Sequence, residues 1–157
     1  MFKELVSEDI IDISMFIKEK GVGVLPDCKF LINSFFYPQQ FQVRLLRKAF
    51  FDGTMVAYGD YLDDELTDLL LIDYREENKC CMTIMLINGD DLALVEWAVK
   101  KAFEDQKELE KIKVSVTKSN LDSGLRDKLR AAGFEEEMCE RAFTDDSKSI
   151  YTYSYFN

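Results

Sequence analysis

Between residues 79 and 103 the chain changes its hydrophobic rhythm. In KCCMTIMLI, Lys79 to Ile87, Met82, Ile84 and Leu86 alternate with Cys81, Thr83, Met85 and Ile87, so both faces are apolar or nearly so. That suits a central strand covered on both sides. From Leu92 onward, Leu92, Val95, Val99, Ala102 and Phe103 recur at helical spacing, while Glu96, Lys100 and Lys101 fall elsewhere. A strand, a tight turn and a helix are therefore expected, and a strand-to-helix turn is a favoured place to bind phosphate.

The same patterning predicts the other elements. Phe2 to Val6 reads as a short strand. Ser7 then caps a helix with Glu8 and Asp9 in its first turn, an Ile10, Ile13, Ile17 stripe, and Gly21 and Gly23 as its stop. A second helix is expected over Lys29 to Tyr37, ended by Pro38. Gln42 to Phe50 reads as extended, with Asp52-Gly53 as a hairpin turn into Thr54 to Leu62. DDELTD reads as a polar connection, and Leu69 to Tyr74 pairs with Lys79 to Ile87 across REEN. A strand over Ile112 to Thr117 leads through Ser119 and Asn120 to a helix bearing Leu125, Leu129 and Ala132, with Gly133 at its C-terminal stop. Glu135 to Phe143 and Ser149 to Phe156 close the chain as a hairpin across TDDSK. The expected architecture is one α/β (α+β) domain over residues 1–157. Its central sheet is mixed but mostly antiparallel, and helices flank it.

Composition narrows the chemistry. The chain has 157 residues, a net charge of −10 and no histidine. Neutralising nucleic-acid phosphates needs clustered Lys and Arg, so no nucleic-acid partner is expected. Runs such as MTIMLI are far short of a membrane span, and MFKELVSEDI lacks the pattern of a signal peptide. A cytoplasmic location with no membrane partner follows as an expectation. Cys28, Cys80, Cys81 and Cys139 form no C-x-x-C pair and have no histidine to join them, so no metal site is expected. Buried, reduced thiols are the reading for these four. Any acid–base chemistry falls to a carboxylate, cysteine, tyrosine, lysine or water. Tyr151, Tyr153 and Tyr155 share one strand face, ordinarily a packing stripe, and Tyr151 or Tyr153 could present a hydroxyl to a substrate groove. Asp60, Asp63, Asp64 and Glu65 could attract an amine.

The order of elements, together with LLLIDYREENKCCMTIMLI, VSVTKSNLDSGLRDKLRAAGFEEEMCERAF and SIYTYSYFN, resembles the GNAT superfamily of N-acetyltransferases. The likeness is nearest to the branch that acetylates ribosomal-protein N-termini. It covers Leu66 to Asn157 in detail and the first 65 residues by element order. It implies an acyl-CoA-dependent transfer of an acetyl group to an amine, with a small-molecule amine or a peptide N-terminus as acceptor. It also implies an acetyl-CoA site where two parallel strands, Lys79–Ile87 and Ile112–Thr117, splay apart. By that likeness Met85, Leu86 and Ile87 pair with the pantetheine arm, Asn88 and Gly89 lie at the pyrophosphate, and Asn120 orders the cofactor.

The family's pyrophosphate loop has the form Arg/Gln-x-x-Gly-x-Gly/Ala. The corresponding Asn88-Gly89-Asp90-Asp91 is shorter and lacks the Arg/Gln and the second glycine. Asp90 and Asp91 serve equally as a helix cap and first-turn acids. Two unit charges about 4 Å apart interact by ~1 kcal/mol in water and ~4 kcal/mol at an effective dielectric of 20, repulsively for a carboxylate and a phosphate. Met82 stands where that branch often has a glutamate base, and Leu129, or Asp127 in the other placement of a two-residue length difference, where many relatives have a tyrosine. A non-catalytic binding or assembly module of the same fold is therefore the alternative function. A homodimer formed through an edge strand of the closing hairpin is a further expectation.

Overall fold

The computed structural model describes residues 1–21, 37, 39, 41–74, 81–86, 92–117, 124–140 and 149–157, with the backbone alone for 81–86 and 140. Its strands are β1 (Phe2–Leu5), β2 (Met55–Leu62), β3 (Glu65–Asp73), β4 (Cys81–Leu86), β5 (Lys111–Thr117), β6 (Glu135–Glu140) and β7 (Ile150–Phe156). They form one sheet in the order β1-β2-β3-β4-β5-β7-β6. Every neighbouring pair is antiparallel except β4 with β5. The helices are α1 (Ile10–Lys20), α2 (Val43–Phe51), α3 (Leu92–Asp105) and α4 (Arg126–Ala131).

Two apolar cores cover the two faces. On β3, Leu69 and Leu71 join α1 and α2, with Ile13, Ile17 and Leu46 fully buried against them. Leu70 and Ile72 face the other way, onto Val95, Ala98 and Val99 of α3. At about 25 cal/mol per Å² of buried apolar surface, each such side chain contributes roughly 1.5–3 kcal/mol.

The first half departs from its sequence reading. Gln42 to Phe50 is not extended: Val43–Phe51 is helical. Val43, Leu46, Ala49 and Phe50 lie at i, i+3, i+6 and i+7, so a helix gathers them on one stripe and turns Arg44, Arg47 and Lys48 outward. Asp52-Gly53 consequently ends a helix and opens no hairpin. Gly53 adopts φ 68°, its N–H donates to the Phe50 carbonyl, and the Thr54 N–H donates to Ala49. That is the two-bond Schellman stop. The hairpin lies one strand later, at Asp63 and Asp64, both left-handed with φ 50° and 64°. DDELTD is thus a two-residue turn and the start of β3, with Thr67 as an extra residue at a bulge.

The second half follows its sequence reading. β3 and β4 pair as expected, although residues 75–80 lie outside the described residues. At Gly133, φ 92°, the same two bonds recur: Gly133 N–H to Arg130 and Phe134 N–H to Leu129. The expected helix over Lys29 to Tyr37 lies almost wholly outside the described residues. No helix among them is long and apolar enough to cross a membrane.

Candidate functional site: a gap between parallel strands

The parallel pair holds together over only half its length. Cys81, Met82 and Thr83 pair with Lys111, Ile112 and Lys113, and there the register ends. β4 runs on to Leu86 and β5 to Thr117. Beyond Thr83, β4 keeps its other neighbour, with Ile84, Met85 and Leu86 opposite Ile72, Leu71 and Leu70. β5 likewise keeps β7, as far as Thr117 opposite Ile150. The sheet therefore opens between Ile84–Leu86 and Val114–Thr117, leaving the facing edge of β4 without its β5 ladder. An extended ligand can add to such an edge as a strand would.

A groove lies over the α3 side of the sheet. α3 packs over β2 and β3, and Leu129 of α4 packs in the same core as Tyr153 of β7. Between them lies a hollow of about 420 Å³ lined by Ala93, Glu96, Val99, Lys100, Ala132 and Tyr155. Tyr155, in its wall, stands opposite Ile112 of β5.

The site residues expected from the sequence divide three ways. Met85 and Leu86 sit on the open edge of β4. Ile87, Asn88, Gly89 and Asn120 lie outside the described residues, as do Asp90 and Asp91. Tyr151 and Tyr153 lie on β7, beside β5 and facing α4. Tyr153 is wholly buried; its hydroxyl donates to Glu136 Oε2 at 2.6 Å and accepts from Arg126 Nε at 3.2 Å. Burial, then the Glu136 carboxylate, push that phenol above its ordinary pKa, with Arg126 opposing. The Arg126 guanidinium also stands 5.9 Å from the Tyr151 ring centroid. Tyr155 stacks edge-on against Phe134 at 5.6 Å and tilted against Phe103 at 5.7 Å. The tyrosine stripe therefore packs α4 and β6 onto β7.

Leu129 is 1% exposed, a core residue. Cys139 corrects the reading of the thiols: it is free and exposed, because β6 is the outermost strand. Among the described residues no group of His, Cys, Asp or Glu side chains is placed to hold a metal ion.

At the open end of the sheet the surface is acidic. The Asp63-Asp64 turn, Glu65, Asp12 and Glu19, with Lys20 as the one cation among them, surround a hollow of about 270 Å³ floored by Met15, Phe16 and Leu66. Asp60, by contrast, is taken up by the chain's own N-terminal ammonium at 2.6 Å.

Several solved acetyltransferase structures share this fold. A probable acetyltransferase from Staphylococcus epidermidis superposes with a TM-score of 0.73 at 12% identity, over 100% of this chain and 98% of that one. This chain has the GNAT fold. The ribosomal-protein-alanine N-acetyltransferase from Brucella melitensis matches with a TM-score of 0.71 at 10% identity, covering 100% of this chain and 99% of its own. A variant of the spermidine N-acetyltransferase from Vibrio cholerae matches at 0.70 and 15%, covering 99% and 94%. No protein-family model matches the sequence, and no curated protein matches it. The GNAT likeness thus lives in the path of the backbone. Its strand gap is the feature sequence reasoning could only infer by resemblance, since no residue pattern marks where a ladder stops.

Proposed function

We propose that this protein is an acyl-CoA-dependent N-acetyltransferase of divergent type, transferring an acetyl group from acetyl-CoA to an amine. The observation that carries the reading is the open edge of β4 over Ile84–Leu86. On this reading the pantetheine amides pair with the backbone of Met85 and Leu86, continuing into Ile87, and the remainder of the donor follows the groove beside α3. The acceptor's nitrogen attacks the thioester carbonyl in the gap, the C–S bond breaks, and the sulfur leaves with a proton. Positioning does much of this work, since well-held reactants reach effective molarities of about 10⁵ M or more. The neighbours act on acceptors as different as a ribosomal-protein alanine and spermidine, by their names. The acidic surface at the open end favours a cationic amine here, whether a small molecule or a peptide N-terminus.

A second reading is a non-catalytic module that keeps the GNAT fold for binding or assembly. Asn88-Gly89-Asp90-Asp91 favours it, because two carboxylates stand where a phosphate would need convergent N–H groups. Isothermal titration with acetyl-CoA separates the two. Saturable binding supports the transferase; absence of heat at millimolar cofactor overturns it and leaves the module.

A further inference from the structure

We infer that Asp73, at the closed end of the strand gap, is the base that takes the proton from the acceptor amine. The inference rests on the transferase reading and adds a residue to it.

The argument begins with register. Asp73 of β3 stands opposite Thr83 of β4, and Thr83 stands opposite Lys113 of β5. This row is also the last at which β4 and β5 pair. Asp73 and Lys113 thus flank the point where the two strands part, two strand spacings or roughly 9–10 Å apart at Cα. Asp73 shares its face with Leu69 and Leu71, the face away from α3 and α4. Lys113 alternates with Ile112 and Val114, which point toward α3 and α4, so Lys113 also points away from them. Both side chains project from one face, at one level.

Burial adds the second strand of the argument. Asp73 is only 5% exposed. A carboxylate taken out of water costs several kcal/mol unless partnered, so a chain does not keep one inside for packing. Asp73 and Lys113 are each engaged with neighbours, and no described buried polar side-chain atom is left without a partner. A carboxylate held by its neighbours at the apex of the gap is placed where a general base would stand.

The buried strand face beside it is polar. On the same face, Ser115, Thr117 and Thr152 are each at least nine-tenths buried, and Ser115 stands directly opposite Thr152. The opposite face of the same strands carries Ile112, Val114, Val116 and Tyr153. The groove beside α3 lies on that apolar side, so on this reading the acceptor nitrogen sits on the hydroxyl side of the gap, where Asp73 projects. Asp73 takes one proton from the ammonium, giving a neutral amine and a carboxylic acid. The nitrogen forms its bond to the thioester carbon, the C–S bond breaks, and the thiolate takes the second proton from nitrogen. Asp73 then returns its proton to solvent.

The test compares wild type with Asp73→Asn and Asp73→Glu, using putrescine, tyramine and tetraalanine as acceptor probes. Asp73→Asn should lower kcat about 100-fold or more, the ordinary scale for removing a general base, with an unchanged KM for acetyl-CoA. Asp73→Glu should recover part of the rate. Should Asp73→Asn fail to fold, Asp73→Gly with added formate replaces it, and restoration of the rate by formate supports the role. An unchanged kcat in Asp73→Asn, or a loss in Asp73→Gly that formate does not restore, overturns the inference and leaves the transferase reading intact. A wild type that does not bind acetyl-CoA, or binds it and acetylates none of the probes, overturns both.

Discussion

Strands β3 and β5 are buried on both faces, yet they are built differently. On β3, Leu69 and Leu71 look one way and Leu70 and Ile72 the other, all at 0% exposure. On β5, Ile112, Val114 and Val116 are equally inaccessible on one face, while the other carries Lys113, Ser115 and Thr117. Apolar burial on β3 needs no further explanation than the hydrophobic effect. Polar burial on β5 and its neighbour β7 yields less stability than apolar burial and demands a partner for each hydroxyl. Buried surface here therefore serves two ends: β3 holds the sheet between its helices, and β5 presents a polar wall beside the strand gap.

The sharpest way to break this contrast is in the β3 core. Leu71→Ala should destabilise the protein by about 2–5 kcal/mol in chemical denaturation, the usual cost of a large buried deletion. A loss below about 1 kcal/mol would show that β3 is not the packing centre. Tyr153→Phe comes next, removing the hydroxyl shared by Glu136 and Arg126 and costing roughly 1.5–3 kcal/mol, since both partners carry charge. Its thermal melt should fall while acetyl-CoA affinity holds.

The two glycine stops test a related difference. Both have left-handed φ, so alanine costs about 1–2 kcal/mol at either. A Cβ on Gly53 would meet nothing within 4 Å, whereas one on Gly133 would lie 2.9 Å from Tyr155 Cε2. Gly133→Ala should therefore melt lower than Gly53→Ala. Equal melts would mean that the Tyr155 ring yields freely.

On the polar face, Ser115→Ala combined with Thr152→Val should cost about 1–2 kcal/mol in all, since a hydroxyl's hydrogen bond contributes about 1 kcal/mol net. A loss as large as that of Leu71→Ala would make the polar wall part of the core. The smallest effect belongs to Glu137, which accepts bonds from Ser154 Oγ and from Lys111 at 3.0 Å. Those two contacts hold its carboxyl below the ordinary 4.5. A depressed carboxylate contributes stability that is complete above its unfolded pKa and is lost as pH falls through the folded one. Glu137→Gln should thus cost a few tenths of a kcal/mol at pH 7 and lose less than wild type on acidification below about 4.5.

The legibility of the chain follows from where periodicity is unambiguous. The Leu92 to Phe103 stripe marks α3 because charged residues occupy its far side, and Gly133 marks the end of α4 because only a left-handed residue completes that stop. VRLLRKAFF reads less clearly: nine residues with paired apolar positions fit either period, and the Asp52-Gly53 that follows serves a hairpin or a helix end equally well. The docking of α2 onto α1 and β3 resolves it, burying Leu46 and Ala49 at a spacing a strand lacks. Candidate residues fared by the same rule. Tyr151 and Tyr153 were visible as an alternating stripe, but alternation cannot say which neighbour receives a hydroxyl. Asp73 ends LLLID without any motif, and its meaning depends on strands far away in sequence.

By itself the sequence determined the succession of elements from β3 onward, an acidic chain without histidine, and a strand–turn–helix unit bearing carboxylates. Those are local properties, set by side-chain spacing, capping and charge. Tertiary structure alone decided that β7 enters between β5 and β6, that β4 and β5 part after Thr83 and Lys113, and that Asp73 stands in their last common row. The physical reason is that register and strand order arise from contacts between distant segments, whose energies no single stretch of chain carries.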